Sequence, residues 1–168
     1  EGVFGNFGWP NPPMGTDGLL CFNIDGQITW RFHAPANFDS MADCYALNVA
    51  NEAVWVCYYT DFPVVQVTTD GTVRGWENEV AGARAIVIDH TRVLLWGGYR
   101  SIGTDERCVI QTIAGDKLVS PQHVQLCLPN GESLIKAKVF GRDSILHAFV
   151  GTTWYQFDLR ELPDILKL

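Results

Sequence analysis

Apolar, β-branched and aromatic residues along this chain fall in short runs, and the three-and-four spacing of a helix face is almost absent. The clearest stretch reads CYALNV (44–49), AVWVCYY (53–59), PVVQVT (63–68) and TVRGWE (72–77). Asn51-Glu52, the Thr60–Phe62 loop and Asp70-Gly71 separate these runs. Runs of this length, bounded by Gly, Asp, Asn and Pro, predict β-strands joined by tight connections. Asp-Gly is expected to close a two-residue hairpin with both central residues at positive φ.

The unit then recurs. ARAIVI (83–88), VLLWGG (93–98), RCVIQTI (107–113) and the extended segment from Lys117 to Cys127 align with it. IKAKVF (135–140), ILHAFV (145–150) and TWYQFD (153–158) supply three strands of another unit, and LLCFNI-DG-QITWRF (19–32) supplies one hairpin. The turns recur at Asp25-Gly26, Asp70-Gly71 and Gly115-Asp116, followed by Asp158. A period of roughly 40–45 residues built from short strands predicts a β-propeller or a related blade array.

The organisation is therefore read as one all-β portion over 1–168. It runs as an aromatic, Gly- and Pro-rich loop (1–18), an orphan hairpin (19–32), a blade (42–77), a second blade (83–127), a partial blade (134–158) and a tail (159–168). In the tail, Pro163 suits the first turn of a short helix. Three to three and a half four-stranded antiparallel blades fall short of the four to eight of a closed ring and would leave sheet edges open. The remaining blades are expected from the same or another chain, or from self-association. The chain begins at Glu1 without Met, so its start reads as processed or cut.

The strand–turn–strand spacing resembles β-propeller repeats over roughly residues 19–158. So do Asp-Gly between outer strands and Trp30 or Trp76 near the end of the outermost strand. The resemblance is loosely WD40-like, without the Gly-His start or the Trp-Asp dipeptide. The Asp boxes of sialidases have only a partial echo in Asp25–Trp30, and the kelch double glycine occurs once, at Gly97-Gly98. The chain looks most like irregular bacterial propellers, whose functions range from scaffolds to lactonases and lyases. The resemblance thus implies a fold more than an activity.

Charged residues make up 18% of the chain and the net charge is −7, with 12 Lys+Arg among 168 residues. That balance excludes the basic stripe of a nucleic-acid binder and argues against an anionic membrane surface. No apolar stretch reaches the roughly 18–20 residues of a membrane helix. The five cysteines (Cys21, Cys44, Cys57, Cys108, Cys127) form no CxxC pair and sit mostly in apolar runs. They read as reduced core thiols, which points to a cytoplasmic compartment. No cofactor is expected.

Aligning the first strand of each unit on Ala46, Ala85 and Ala137 places Tyr45, Arg84 and Lys136 at one repeated position. On the inner strand of a propeller, such residues would ring the mouth of the channel. Arg84 and Lys136 would offer charge, and Tyr45 a ring face or a hydroxyl. Loops at the same end carry Asp39, Asp43, Asp61, Glu77, Glu79, Tyr99, Arg100 and Asp105. Acids there could take a cation through oxygen, but no ligand spacing supports it and no metal is assigned. If Asp43 and Asp61 converged, they could act as an acid–base pair. His147 lies inside a strand and reads as a hydrogen-bonded core residue, and no Gly-x-Ser-x-Gly motif supports nucleophilic chemistry. Phe7 and Trp9 of the N-terminal loop could stack on a sugar or a peptide.

The expected function is a binding or scaffolding propeller that recognises a small molecule, a sugar or a protein segment at the channel face. Tyr45, Arg84, Lys136, Asp43, Asp61, Tyr99, Arg100 and Trp9 are its candidate contacts. The alternative is a carbohydrate- or lactone-active hydrolase or lyase using the acids of the same face.

Overall fold

The computed structural model describes residues 13–99, 108–134 and 136–162. After a 3-10 turn at Met14–Asp17, β1 (Leu20–Phe22) and β2 (Ile28–Arg31) form a two-stranded hairpin. β3 (Asp43–Val49), β4 (Ala53–Tyr59), β5 (Val64–Thr68) and β6 (Val73–Trp76) form a four-stranded meander. β7 (Ala83–Ile88), β8 (Arg92–Gly97), β9 (Cys108–Ala114) and β10 (Lys117–Val124) form a second. β11 (Lys138–Arg142), β12 (Ile145–Val150) and β13 (Thr153–Asp158) form a three-stranded sheet. The protein is thus all-β among the described residues, with four antiparallel sheets of two to four strands.

The sheets stack face to face, which explains why their central strands read as continuous apolar runs. Along β4, Trp55 and Cys57 join a buried cluster with Ile86, Val93 and Leu95 of the second meander. The alternate residues Val56 and Tyr58 pack the other way, against Phe32, Met41 and Trp30. In the second meander, Leu94 and Trp96 turn to Leu146 and Ala148 of the three-stranded sheet. A strand buried on both faces has no polar side to alternate with, so the period of two disappears from the hydropathy.

The first strands of the three larger sheets, β3, β7 and β11, adjoin one another. Asn48 of β3, fully buried, ties them together. Its side-chain amide donates to the carbonyls of Ile86 and Asp143, both at 2.9 Å, and its Oδ1 accepts the Asp143 amide at 2.9 Å. Gly141 of β11 lies so close to β7 that a Cβ built there would stand 1.8 Å from the Ile86 carbonyl oxygen.

Several expectations need correction. The Asp-Gly turns carry positive φ only at the glycines, 77° at Gly26 and 83° at Gly71, not at both central residues. Both are three-residue loops, closed by Asn23 N–H to Gln27 O at 2.9 Å and by Thr68 N–H to Thr72 O at 3.0 Å. The Asn23 and Asp70 side chains cap backbone amides inside them. The third sheet starts at Lys138, not at residue 135. The tail forms a 3-10 turn at Leu159–Glu161, and Arg92 donates to the carbonyls of Leu159 at 2.7 Å and of Leu162, just past the turn, at 3.2 Å. Pro163 lies outside the described residues. All five cysteines are free thiols, but Cys21 and Cys127 are exposed and only Cys57 and Cys108 are buried. Among the described residues, no helix is long and apolar enough to cross a membrane.

His147 lies 4.9 Å from the ring of Phe140 and 5.6 Å from that of Trp154, and its Nδ1 accepts the Trp154 indole N–H at 3.1 Å. Burial lowers its pKa below the ordinary histidine value. The folded state therefore binds a proton less readily at this site than the unfolded chain does. The stability this contributes is complete above the unfolded pKa of about 6.5 and is lost as pH falls through the lower folded value. The urea midpoint is expected to be lower at about pH 5 than at about pH 7, with a smaller difference in His147→Phe. Equal pH dependence in the two proteins would contradict this assignment.

Candidate functional site

β3 and β7 each begin with a bulge. The pairing with the neighbouring strand slips between Cys44 and Ala46, and again between Ala83 and Ala85. The residues the register skips are Tyr45 and Arg84, and a bulge re-aims the side chain it carries. Both residues stand near the start of adjoining strands.

Counting from the first hairpin turns puts the third sheet out of step with the sequence alignment. Ala50–Ala53, Asp89–Arg92 and Arg142–Ile145 are the closing pairs of the three turns. Ala46 pairs with Cys57, Ala85 with Trp96, and Lys138, not Ala137, with Phe149. Ala137 therefore occupies the position of Tyr45 and Arg84. Lys136 lies one residue earlier, exposed in the connection before β11, and does not complete a repeated collar.

Tyr45 is instead the base of an aromatic cluster. Its ring meets Phe62 edge-on at 5.4 Å and Tyr99 edge-on at 5.8 Å, while Phe62 and Tyr99 are 5.3 Å apart. Tyr59 closes the group, 5.6 Å from Phe62. The Tyr45 and Tyr99 hydroxyls are hydrogen-bonded to each other. Tyr99 is 49% exposed and Tyr59 40%, so the cluster offers ring surface to solvent over a buried Phe62. The bond to Tyr45, and then desolvation, push the Tyr99 phenol up to about 12. It therefore remains a neutral hydrogen-bonding group throughout the physiological range.

The loop that delivers Phe62 is held in an uncommon backbone. Asp61 and Phe62 have φ of 62° and 55°, a region that bulky side chains rarely occupy and that clusters at functional sites. The Phe62 carbonyl is fixed by the Asn78 amide at 3.0 Å and by the Cys57 thiol at 3.5 Å. Burial raises the Cys57 thiol to about 12, which keeps it protonated as a donor. Asn78 also brackets Val80 through both backbone groups, fastening the β4–β5 loop to the β6–β7 connection. Gly82, at φ 76°, leaves room for Tyr99, whose ring would stand 3.1 Å from an added Cβ.

Beside this cluster the Arg84 guanidinium lies over Trp96, 5.0 Å from the ring centroid. Gly97 lets it pass, since a Cβ there would meet Arg84 Nε at 2.9 Å. Asp43 opens β3 opposite Tyr59, and Asp61 sits in the Phe62 loop; both are exposed at this same end. Trp9, Arg100 and Asp105 lie outside the described residues. Among the described residues, no three His, Cys, Asp or Glu side chains gather as a metal-holding group. The arrangement offers ring faces, the phenolic hydroxyls of Tyr45, Tyr59 and Tyr99, and a guanidinium. That set suits a ligand with a ring-shaped or apolar body and a hydrogen-bond acceptor.

Sequence reasoning placed Tyr45, Tyr99, Arg84 and the two acids at this end but missed Phe62 and Tyr59. The available signal was an aromatic residue in a polar loop immediately before a proline, Thr60-Asp61-Phe62-Pro63.

Residues 19–157 match the model of the YxzG family, and the chain belongs to that family. No curated protein and no solved structure matches it.

Proposed function

We propose that this member of the YxzG family is a binding module. In this reading its sheets are successive blades of a β-propeller, and its ligand is a small molecule or an extended protein segment held at the end where β3 and β7 begin. The blade reading is supported by the meander order of each sheet, the face-to-face stacking and the adjoining first strands. The observation that carries the binding reading is the half-exposed Tyr45–Tyr59–Phe62–Tyr99 cluster beside Arg84, delivered by a loop with left-handed residues. The rings would take the apolar body of the ligand, and Arg84 would take an acceptor such as a carboxylate.

Arrays of immobilised oligosaccharides and of peptides, probed with the wild-type chain, Tyr99→Ala and Arg84→Ala, test this. The wild type is expected to mark a discrete set of spots that Tyr99→Ala loses, with Arg84→Ala losing the acidic ones first. Tyr99 and Arg84 are exposed, so circular dichroism should be unchanged. Identical spot patterns in all three proteins, or no wild-type spots, would overturn the reading.

A further inference from the structure

The central strands of the second meander are packed on both faces, but among the described residues the three-stranded sheet is covered on one face only. Val139, Leu146, Ala148, Tyr155 and Phe157 pack on the second meander. The opposite face carries Phe140, Phe149 and Trp154, which are 48%, 36% and 55% exposed. Their rings are stacked across the strands. Phe149 and Trp154 are 6.0 Å apart and within 1° of parallel, and Phe140 lies 6.0 Å from Phe149.

By register, Phe149 occupies the place of Cys57 and Trp96, and Trp154 that of Val64 and Cys108. Those four residues are 2% exposed or less, because in each case the following sheet covers them. The aromatic face is thus the same face of the same unit, lacking its next sheet. A contiguous patch of large rings on such a face marks an interaction surface.

The other end of the stack is unfinished in the complementary sense. Leu47 and Val49 of β3 are 45% and 37% exposed, whereas Ile86 and Ile88, at the same places in β7, are buried. Among the described residues, the hairpin of β1 and β2 and its flanks pack on β4 and β5 and leave these two β3 side chains exposed. Beside the hairpin lies a cleft of about 700 Å³, lined by Leu20, Phe22, Trp30, Val49, Val54 and Val67 among others. A volume of this order admits a drug-sized body, so several side chains from an incoming sheet face fit.

We infer that the partner is a second copy of this chain, joined head to tail, the aromatic face of one copy seating against the β1–β3 cleft of the next. Each chain carries both halves of the contact, and the contact continues the sheet-on-sheet packing already present twice within it. The inference does not depend on what the Tyr45–Tyr99 end binds. A head-to-tail contact is heterologous, so it can be rebuilt from two differently damaged copies.

The test is solution mass by light scattering on the full chain, on the face variant Phe149→Lys/Trp154→Lys and on the β3 variant Leu47→Lys/Val49→Lys, at and beside the cleft. All four positions are exposed in the single chain, so the variants keep the fold. The wild type is expected at twice the 18.7 kDa chain mass or more, and each variant alone at 18.7 kDa. An equimolar mixture of the two variants is expected to associate again, because an intact face then meets an intact cleft. A wild type that stays at the single-chain mass at high micromolar concentration would overturn the inference. So would variants that still associate, or a mixture that does not.

Discussion

Replacing Gly141 by alanine is expected to cost more than about 3 kcal/mol. A Cβ at this position would stand 1.8 Å from the Ile86 carbonyl oxygen, 2.8 Å from its carbon and 3.2 Å from Asn48 Nδ2. Two of those atoms are backbone and cannot rotate away, so β11 would have to withdraw from β7. That withdrawal would also pull the Asp143 backbone from its bonds to Asn48. For a chain of this size the loss corresponds to a fall in the thermal midpoint of roughly 6–12 °C or more. Gly131→Ala is the appropriate comparison. Its Cβ would meet nothing within 4 Å, and only its φ of 82° is unfavourable, which costs about 1 kcal/mol. A Gly141→Ala midpoint no lower than that of Gly131→Ala would refute the close approach of β7 and β11.

Asn48→Leu is expected to destabilise by about 2–4 kcal/mol, although leucine is the more apolar residue and the site is fully buried. The amide bridges β3 to β7 and to the β11–β12 turn at once. Leucine would leave the Asp143 N–H without its acceptor and the Ile86 carbonyl without this donor. An unmet buried polar group costs about 1–3 kcal/mol. Urea denaturation of the single and double variants measures both the loss and its coupling to Gly141. Because Asn48 and Gly141 meet the same Ile86 carbonyl, the double variant should lose less than the sum of the two. An unchanged urea midpoint for Asn48→Leu would remove Asn48 as the link between the sheets.

The strands were legible because burial on both faces leaves a plain signature, such as AVWVCYY bounded by turn residues. Their order was legible because each unit repeats the same short connections. The register of the third sheet was not. Aligning on alanines put Ala137 beside Ala46 and Ala85, whereas backbone pairing is counted from the turn, and the two-residue turn at Asp143-Ser144 places Lys138 there instead. Asn48 is one polar residue in an apolar run, and only the approach of three first strands gives it its partners. At the end where β3 and β7 begin, position in the repeat brought Tyr45 and Arg84 forward, and the loop after β8 brought Tyr99. Phe62 escaped because its inclusion depends on left-handed backbone at Asp61 and Phe62 and on the Asn78 clamp, neither of which has a periodic trace.

Titrating the strongest array ligand into wild type, Tyr99→Ala and His90→Ala tests the proposed ligand site most directly. His90 is exposed in the β7–β8 turn at the opposite end of the stack. Loss of the Tyr99 ring and hydroxyl is expected to raise the dissociation constant roughly tenfold or more, while His90→Ala leaves it unchanged. Equal affinity in all three proteins, or equal loss in both variants, would contradict a ligand site at the Tyr45–Phe62–Tyr99 cluster.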